Sequence, residues 1–250
     1  MKLRRSFICA LFVCLYSTAE GQESENLSPE SDPVFHHSLK VFLDPNARQI
    51  NVENVITIPE NYRTSSLQFD LNSDLTITDA SVDVSRLVNS RTSSSVGSNV
   101  TSVSESTTST YSIPSNTSSG QIRLVYGGSI YDLAEQTSEE YAQSFSETTG
   151  IIDALGVYLN YSSAWFPIFG DSFITFDMEV DFAESASKWK AVSQGDRNGV
   201  NGWASDDPME EIYLIAAEFE EYSVQADDIE VLAYLRTPDS NLATKYMDAT

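Results

Sequence analysis

The chain has 250 residues, and its 37 Asp and Glu against 14 Lys and Arg give a formal net charge of −23. A negative field of this size repels the phosphates of nucleic acids and of anionic lipids, so neither is expected as a partner. At 250 residues, the chain is long enough to bury the core of one large domain, or of one domain and part of another.

The first 19 residues have the pattern of a secretory signal peptide. Three basic residues precede the apolar run 7–16, and the small residues Ser17 and Ala19 follow it. This run is much shorter than the roughly 20 apolar residues that a membrane-spanning helix needs. We predict cleavage after Ala19 (signal peptide 1–19), export to the periplasm or the outside of the cell, and no membrane span after signal cleavage.

Both cysteines, Cys9 and Cys14, lie within the signal peptide, so the mature chain cannot form a disulfide. A lipid attached to Cys14 is the alternative, but Phe12 and Val13 stand where small residues precede a lipidated cysteine. Without the signal peptide the 11 basic and 37 acidic residues give a formal charge of −26. Residues 20–33 are polar and aperiodic, which predicts a disordered leader.

From Val34 onward the apolar residues alternate with polar ones, a pattern typical of strands with one buried face. The residues that share a face are Leu39, Val41 and Leu43; Ile50, Val52, Ile56 and Ile58; and Leu67, Phe69 and Leu71. Asp44, Pro45 and Asn46 form a turn signal between the first two runs, because proline presets φ and Asp and Asn bond to the local backbone. The first two strands are therefore predicted to form a hairpin.

Ser and Thr make up 19 of the 30 residues over 90–119, so this stretch lacks the apolar groups needed to order it. We predict a Ser/Thr-rich surface loop over about 88–110, with a strand end at Tyr111 and Ile113. Further strands are predicted over 75–78, 122–126, 173–180, 212–217 and 229–235, with a bend at Gly127 and Gly128.

Helical spacing is predicted at the end of the chain, where Asp239 or Ser240 can cap a helix that carries Leu242 and Tyr246. A helix of about ten residues is too short to be stable alone. We therefore interpret 237–250 as the start of a truncated domain that follows a β-domain over 34–236. The predicted fold class is all-β, a twisted, mostly antiparallel saddle or sandwich of several sheets with this short C-terminal helix.

The sequence offers no metal site of the usual zinc type, which needs three protein ligands. The chain contains two histidines, His36 and His37, and neighbours on a strand point to opposite faces. There is no His-Glu-x-x-His motif. A calcium loop opening at Asp196 fails at Val200 and lacks its closing glutamate, so a Gly- and Asn-rich turn is predicted there. No metal, cofactor or catalytic residue is predicted in this chain.

Two further features leave alternatives open. No Lys or Arg lies between Arg197 and Arg236, whereas ten acidic residues do, which indicates either a cation-attracting surface or a solvated acidic face. Trp165, Trp189 and Trp203 are either core residues or platforms for sugars. A secreted β-sandwich module that binds carbohydrate or protein is therefore the alternative function.

Five segments resemble, in order and spacing, the amino-terminal β-saddle domain of the aminopeptidase N family, the gluzincin aminopeptidases. Together they cover roughly 36–236. They are His37-Ser38-Leu39-Lys40-Val41-Phe42-Leu43-Asp44-Pro45, residues 49–59, Leu124-Val125-Tyr126-Gly127-Gly128, Trp165-Phe166-Pro167 before the strand at 173–180, and Ala191-Val192-Ser193-Gln194-Gly195.

The resemblance implies a non-catalytic N-terminal domain of an exported zinc-dependent aminopeptidase, a metallopeptidase that hydrolyses N-terminal residues from peptides. In the family a catalytic domain with a Gly-x-Met-Glu-Asn strand and a zinc helix follows, and this chain contains neither motif. The implied zinc belongs to the intact parent protein, and the fragment is expected to be inactive. The implied partners are the catalytic domain of the same protein and the peptide substrate of the intact enzyme.

The resemblance also places a substrate cleft near residues 158–167. Many members carry a glutamine that binds the substrate's free amine about ten residues before the Phe-Pro step, and this chain has only Asn160 as an amide there, at a different spacing. We take Tyr158, Asn160 and Trp165 as the substrate-cleft candidates.

Overall fold

The computed structural model describes residues 32–87, 107–115, 120–132, 148–227 and 229–249. The signal peptide, most of the predicted leader and positions 88–106 of the Ser/Thr-rich loop lie outside these residues. The strands are, in chain order, β1 (Val34–Asp44), β2 (Gln49–Thr57), β3 (Leu67–Asn72), β4 (Leu75–Ala80), β5 (Ser85–Arg86), β6 (Thr108–Ile113), β7 (Gln121–Gly128), β8 (Gly150–Asp153), β9 (Gly156–Leu159), β10 (Phe173–Phe182), β11 (Lys190–Val192), β12 (Asp196–Arg197), β13 (Gly202–Met209), β14 (Leu214–Ala217), β15 (Glu220–Ala226) and β16 (Ile229–Leu235). Helix α1 (Ser240–Met247) follows β16.

The largest sheet has seven strands in the order β12-β13-β10-β1-β2-β7-β4. All neighbours in it are antiparallel except β1 and β10, which run parallel over ten residue pairs from Val34↔Phe173 to Leu43↔Phe182. The predicted hairpin joins β1 and β2, and the Asp44 carboxylate accepts a hydrogen bond of 3.1 Å from the Ala47 N–H in its turn. The turn signal therefore acts as the sequence indicated.

Three smaller sheets complete the architecture: β11-β14-β9-β8, β3-β6-β5 and the pair β15-β16. The inward faces of the strands meet in one hydrophobic core that includes every alternating apolar residue predicted between Leu39 and Leu71. Several mostly antiparallel sheets with a short helix at the C-terminal end confirm the predicted fold class.

The predicted bend at Gly127 and Gly128 is wrong, because both glycines lie in β7. Their lack of a side chain serves close strand packing instead. A Cβ on Gly127 would lie 2.5 Å from Asn51 Oδ1, and one on Gly128 would lie 2.1 Å from the Asp74 carbonyl oxygen. Glycine is therefore needed for contact with β2 and with the turn before β4, while the backbone stays extended.

Helix α1 begins where the sequence predicts, since the Asp239 carboxylate accepts a hydrogen bond of 3.0 Å from the Leu242 N–H. Its buried residue is Ala243, whereas Leu242 and Tyr246 are 36% and 55% exposed. No helix in the described ranges is long and apolar enough to cross a membrane.

Candidate substrate-cleft segment

The predicted cleft segment, residues 158–167, begins on β9 and turns sharply at Asn160. The Asn160 side-chain oxygen accepts a hydrogen bond from the Ser163 N–H (3.3 Å), and the Ser163 hydroxyl oxygen accepts one from the Asn160 N–H (3.1 Å). This reciprocal pair is a capping box, which satisfies the free backbone donors at the start of a helical turn. Residues 161–163 are therefore held in a single 3-10 turn.

The far side of this turn is fastened to the body of the protein. The Asn72 side-chain amide donates to the Ser163 carbonyl (2.8 Å), and the Asn72 N–H donates to the Ala164 carbonyl (2.8 Å). Trp165 is fully buried, and its indole N–H donates to the Ile212 carbonyl (3.0 Å). A buried tryptophan whose polar atom is satisfied is a strong packing anchor. The segment is thus fixed between β3 and the chain that leads into β14.

A group of polar and aromatic side chains lies on the outer side of the same turn, and we call it the Glu211 cluster: Tyr158, Asn160, Tyr161, Glu211 and Tyr213. The Glu211 carboxylate accepts hydrogen bonds from the Tyr161 N–H (3.3 Å) and the Tyr213 hydroxyl (2.5 Å). Asn160 donates through its amide to the Tyr158 hydroxyl at 3.4 Å. The Glu211 carboxylate therefore links the 3-10 turn at 161–163 to Tyr213, the residue before β14.

The electrostatics of the cluster follow from that carboxylate. The hydrogen bond that Tyr213 donates to Glu211, together with the negative charge of Glu211, raises the pKa of the Tyr213 phenol. Tyr213 therefore stays protonated and continues to donate across the neutral range. Tyr161 is 44% exposed, so an aromatic residue at the surface lies beside the charge.

Gln194 fixes the backbone around Glu211. Its side-chain amide donates to the Glu211 carbonyl, and its side-chain oxygen accepts a hydrogen bond of 2.9 Å from the Tyr213 N–H. Gln194 belongs to the segment 191–195 that resembles the aminopeptidase N family. This segment therefore positions the Glu211 carboxylate from behind.

A surface cavity of about 510 Å³ adjoins the cluster. The residues that line it are Tyr161, Ser162, Gly170, Asp171, Ser172, Phe173, Glu210 and Glu211. Three of these residues carry carboxylates, and none is Lys or Arg. Carboxylates without basic neighbours favour a positively charged occupant. The charge of the lining therefore suits a cation such as an ammonium group.

The structure brings two of the three predicted cleft residues together and separates the third. Tyr158 and Asn160 lie in the Glu211 cluster, whereas the Trp165 side chain points into the core. The sequence alone does not point to Glu211 or Tyr213. The signal that could have found Glu211 is the run of acidic residues between Arg197 and Arg236, but ten residues share that signal.

The two histidines lie on opposite faces of β1. His36 is partly exposed and sits 2.9 Å from the Thr175 hydroxyl and 3.0 Å from the Asp177 carboxylate. His37 is fully buried, and its Nδ1 lies 3.0 Å from the Asn54 amide. In the part of the chain that the structure describes, no three His, Cys, Asp or Glu are placed to hold a metal ion. The described His, Cys, Asp and Glu residues therefore do not fit a zinc site.

The positions of the tryptophans do not favour the alternative in which they stack on sugars. Trp165 and Trp203 are 0% and 6% exposed, and the Trp203 indole N–H donates to the Ala191 carbonyl at 3.0 Å. Trp189 is partly buried, with its ring 6.2 Å from that of Phe182. Neither Trp165 nor Trp203 offers a free ring face to a sugar.

No family model and no curated protein sequence matches the chain. Among solved structures the chain is similar to an aminopeptidase N family protein from Idiomarina loihiensis, at 10% identity and a TM-score of 0.46 over 84% of this chain and 34% of that chain. It is similar to an M1 zinc metallopeptidase from Deinococcus radiodurans, at 14% identity and a TM-score of 0.46 over 84% of this chain and 50% of that chain. It is also similar to native yeast LTA4 hydrolase, at 14% identity and a TM-score of 0.46 over 87% of this chain and 35% of that chain.

The chain therefore spans between about a third and a half of the length of these solved structures. The first of them is a member of the family that the five sequence segments resemble. At this level of identity the similarity concerns the fold alone. The similarity is to part of aminopeptidase N family structures.

Proposed function

We propose that this chain is the non-catalytic, β-rich amino-terminal part of an exported zinc aminopeptidase and that it does not hydrolyse peptides by itself. The observation that carries the proposal is where the five family-like segments lie. Three of them lie on β1, β2 and β7, which are adjacent strands of the large sheet. The fourth is the buried link that leads into β10, and β10 pairs with β1 in the same sheet. The fifth, at 191–195, holds Glu211 through Gln194. Four segments that are far apart in sequence thus lie side by side in and next to the large sheet.

We assign the Glu211 cluster as one wall of the substrate cleft in the intact enzyme. The free amino end of a peptide has a pKa near 8 and carries a positive charge at neutral pH, which the Glu211 carboxylate complements. The Asn160 side chain already serves the capping box. In this proposal the Glu211 carboxylate therefore takes the place of the glutamine that binds the substrate's free amine in many family members. Tyr158 and Tyr161 would flank the first residues of the peptide.

The zinc ion and its ligands belong, in this proposal, to a catalytic domain of the same protein. That domain is the partner of the β-rich part, and zinc supplies Lewis-acid and water-activating chemistry when bound. The basic and apolar residues before Ala19 support export, with cleavage after that residue. The contribution of this chain is to position the peptide and to cover part of the cleft.

The test is an aminopeptidase assay of the purified chain with an aminoacyl chromogenic substrate, with and without added zinc. We expect no turnover in either condition, because the described residues do not form a zinc site. Zinc-dependent turnover by the chain alone would contradict the proposal. The coding sequence downstream of Thr250 gives an independent check, since it should encode His-Glu-x-x-His within several dozen codons.

A further inference from the structure

Two Asn-Gly pairs lie three residues apart, Asn198-Gly199 and Asn201-Gly202. Asparagine followed by glycine is the dipeptide most prone to lose its side-chain amide, because glycine leaves the following backbone nitrogen unhindered. That nitrogen must be free to approach the asparagine side chain. The two pairs therefore differ in reactivity only if the fold treats them differently.

The first pair is open to this approach. Asn198 is exposed and lies just after β12. Gly199 has φ +84°, and a Cβ placed on it would meet no atom within 4 Å. Among the hydrogen bonds of the described residues, none involves the Asn198 side chain or the Gly199 N–H. The Asn198 N–H donates to the Gly202 carbonyl (2.8 Å), so the turn is held by its backbone while the two reacting groups carry no hydrogen bond.

The second pair is closed to the same approach. The Asn201 side-chain oxygen accepts a hydrogen bond of 3.0 Å from the Ala191 N–H, and the Asn201 carbonyl accepts one of 3.1 Å from the Val180 N–H. Gly202 is the buried first residue of β13 and pairs with Glu179 of β10. A Cβ on Gly202 would lie 1.9 Å from the Asn198 carbonyl oxygen, so its backbone is tightly enclosed.

We propose that Asn198 is a site of spontaneous deamidation in the folded protein and that Asn201 is protected. The Gly199 nitrogen loses its proton to solvent and attacks the Asn198 side-chain carbonyl carbon. The new C–N bond closes a succinimide while the bond to the side-chain nitrogen breaks, and that nitrogen leaves as ammonia after taking a proton from water. Water then opens the ring at either carbonyl and yields aspartate or isoaspartate. No electrons are transferred, and one negative charge is gained.

The new carboxylate has a defined neighbour. Arg197 precedes it, and the Arg197 guanidinium donates to the Glu221 carboxylate (2.7 Å) and to the Gly199 carbonyl (3.2 Å). An isoaspartate at position 198 lengthens the backbone between Arg197 and Gly199 by one carbon, and so disturbs the hydrogen bond between these two residues. The modification therefore acts directly on the residue that links β12 to β15.

The experiment incubates the purified chain at mildly alkaline pH and 37 °C and follows both positions by peptide mass spectrometry, with fragmentation that separates position 198 from position 201. We expect aspartate and isoaspartate to accumulate at position 198 at least about tenfold faster than at position 201, because Asn201 reacts only after local opening. The same chain unfolded in urea is the matched control, in which both pairs should react at similar rates. Asn198→Gln should remove the signal from the folded chain.

Equal rates at the two positions in the folded chain would overturn the proposal. So would faster modification at position 201, or the absence of modification at position 198 when the unfolded control reacts.

Discussion

His37 is a histidine in the middle of an apolar core. It lies on β1 with its ring 5.6 Å from that of Phe166, and the Asn54 amide is its hydrogen-bond partner. Burial, and then the neighbouring charge of His36, lower the pKa of His37 from 6.5 to about 3, although the bond from Asn54 acts in the opposite direction. His37 is therefore neutral in the folded protein well below neutral pH.

This burial makes stability depend on pH. Above pH 6.5 both the folded and the unfolded chain hold His37 neutral, so it has no effect. Below pH 6.5 the unfolded chain takes up a proton that the folded chain refuses, and stability falls until about pH 3. We expect wild type to lose about 2 kcal/mol more than His37→Gln between pH 7 and pH 5. Urea denaturation at the two pH values measures this difference.

The matched control for that experiment is His36→Gln, which changes the neighbouring histidine on the exposed face of the same strand. It should lose stability on acidification much as wild type does. A His37→Gln protein with the same acid sensitivity as wild type would contradict the assignment of the effect to His37.

At the scale of elements, the 3-10 turn of the cleft segment depends on β3 for its position. Asn72, at the end of β3, is 8% exposed, and its side-chain amide donates a hydrogen bond to the Ser163 carbonyl. Asn72→Ala leaves that carbonyl unpaired next to the buried Trp165. We expect a loss of about 1–3 kcal/mol in the free energy of unfolding, together with faster hydrogen exchange over 160–165.

Gln68→Ala is the matched control, because Gln68 lies on the same strand with its side chain exposed. It should leave both quantities close to wild type. Unchanged exchange over 160–165 in Asn72→Ala would show that the turn is positioned by other contacts.

The Glu221 carboxylate links the hairpin of β15 and β16 to two other strands. Glu221 accepts hydrogen bonds from Lys190 (2.8 Å) and Arg197 (2.7 Å), which belong to β11 and β12. Burial raises the pKa of Glu221, but the bonds from Lys190 and Arg197 outweigh it and hold the pKa below its usual value. The carboxylate is therefore charged at neutral pH and joins three strands from three sheets.

Removing that charge should loosen the hairpin selectively. In Glu221→Gln we expect hydrogen exchange over 220–235 to rise about tenfold, because hydrogen bonds to charged groups contribute about 1.5–3 kcal/mol, while β1 and β10 keep their protection. Glu220→Gln, at the exposed neighbouring position, is the control and should exchange like wild type. Uniform destabilisation of all strands by Glu221→Gln would argue against a local fastening.

At the scale of the whole molecule, the predictable part of the fold is the part with local signals. Strands β1, β2, β3, β7 and β10 keep a strict alternation, so the sequence alone predicts them. Strand β13 was not predicted, because it begins with a glycine and contains Asp206, Asp207 and Pro208 in place of an apolar alternation. Its position follows from pairing with β10, which no local pattern encodes.

The candidate site shows the same division. Tyr158 and Asn160 could be proposed because the chain resembles a known family in their neighbourhood. Glu211 could not, because it approaches Tyr161 only through the pairing of β9 with β14, two strands more than fifty residues apart in sequence. Trp165 lies in the core with 0% exposure, and a resemblance in sequence does not distinguish a buried tryptophan from one that faces a ligand.

The parallel pair of β1 and β10 also governs how the chain acquires its structure. Contacts between these strands join residues 139 positions apart, and closing so long a loop costs entropy before any contact rewards it. The early hairpin can form as soon as β2 leaves the ribosome, but the centre of the large sheet must wait for Phe173–Phe182 to be synthesised. For a chain that we propose to be exported, the centre of the large sheet is therefore absent while the polypeptide is being made, and a chain without that sheet is the form that a membrane channel can thread.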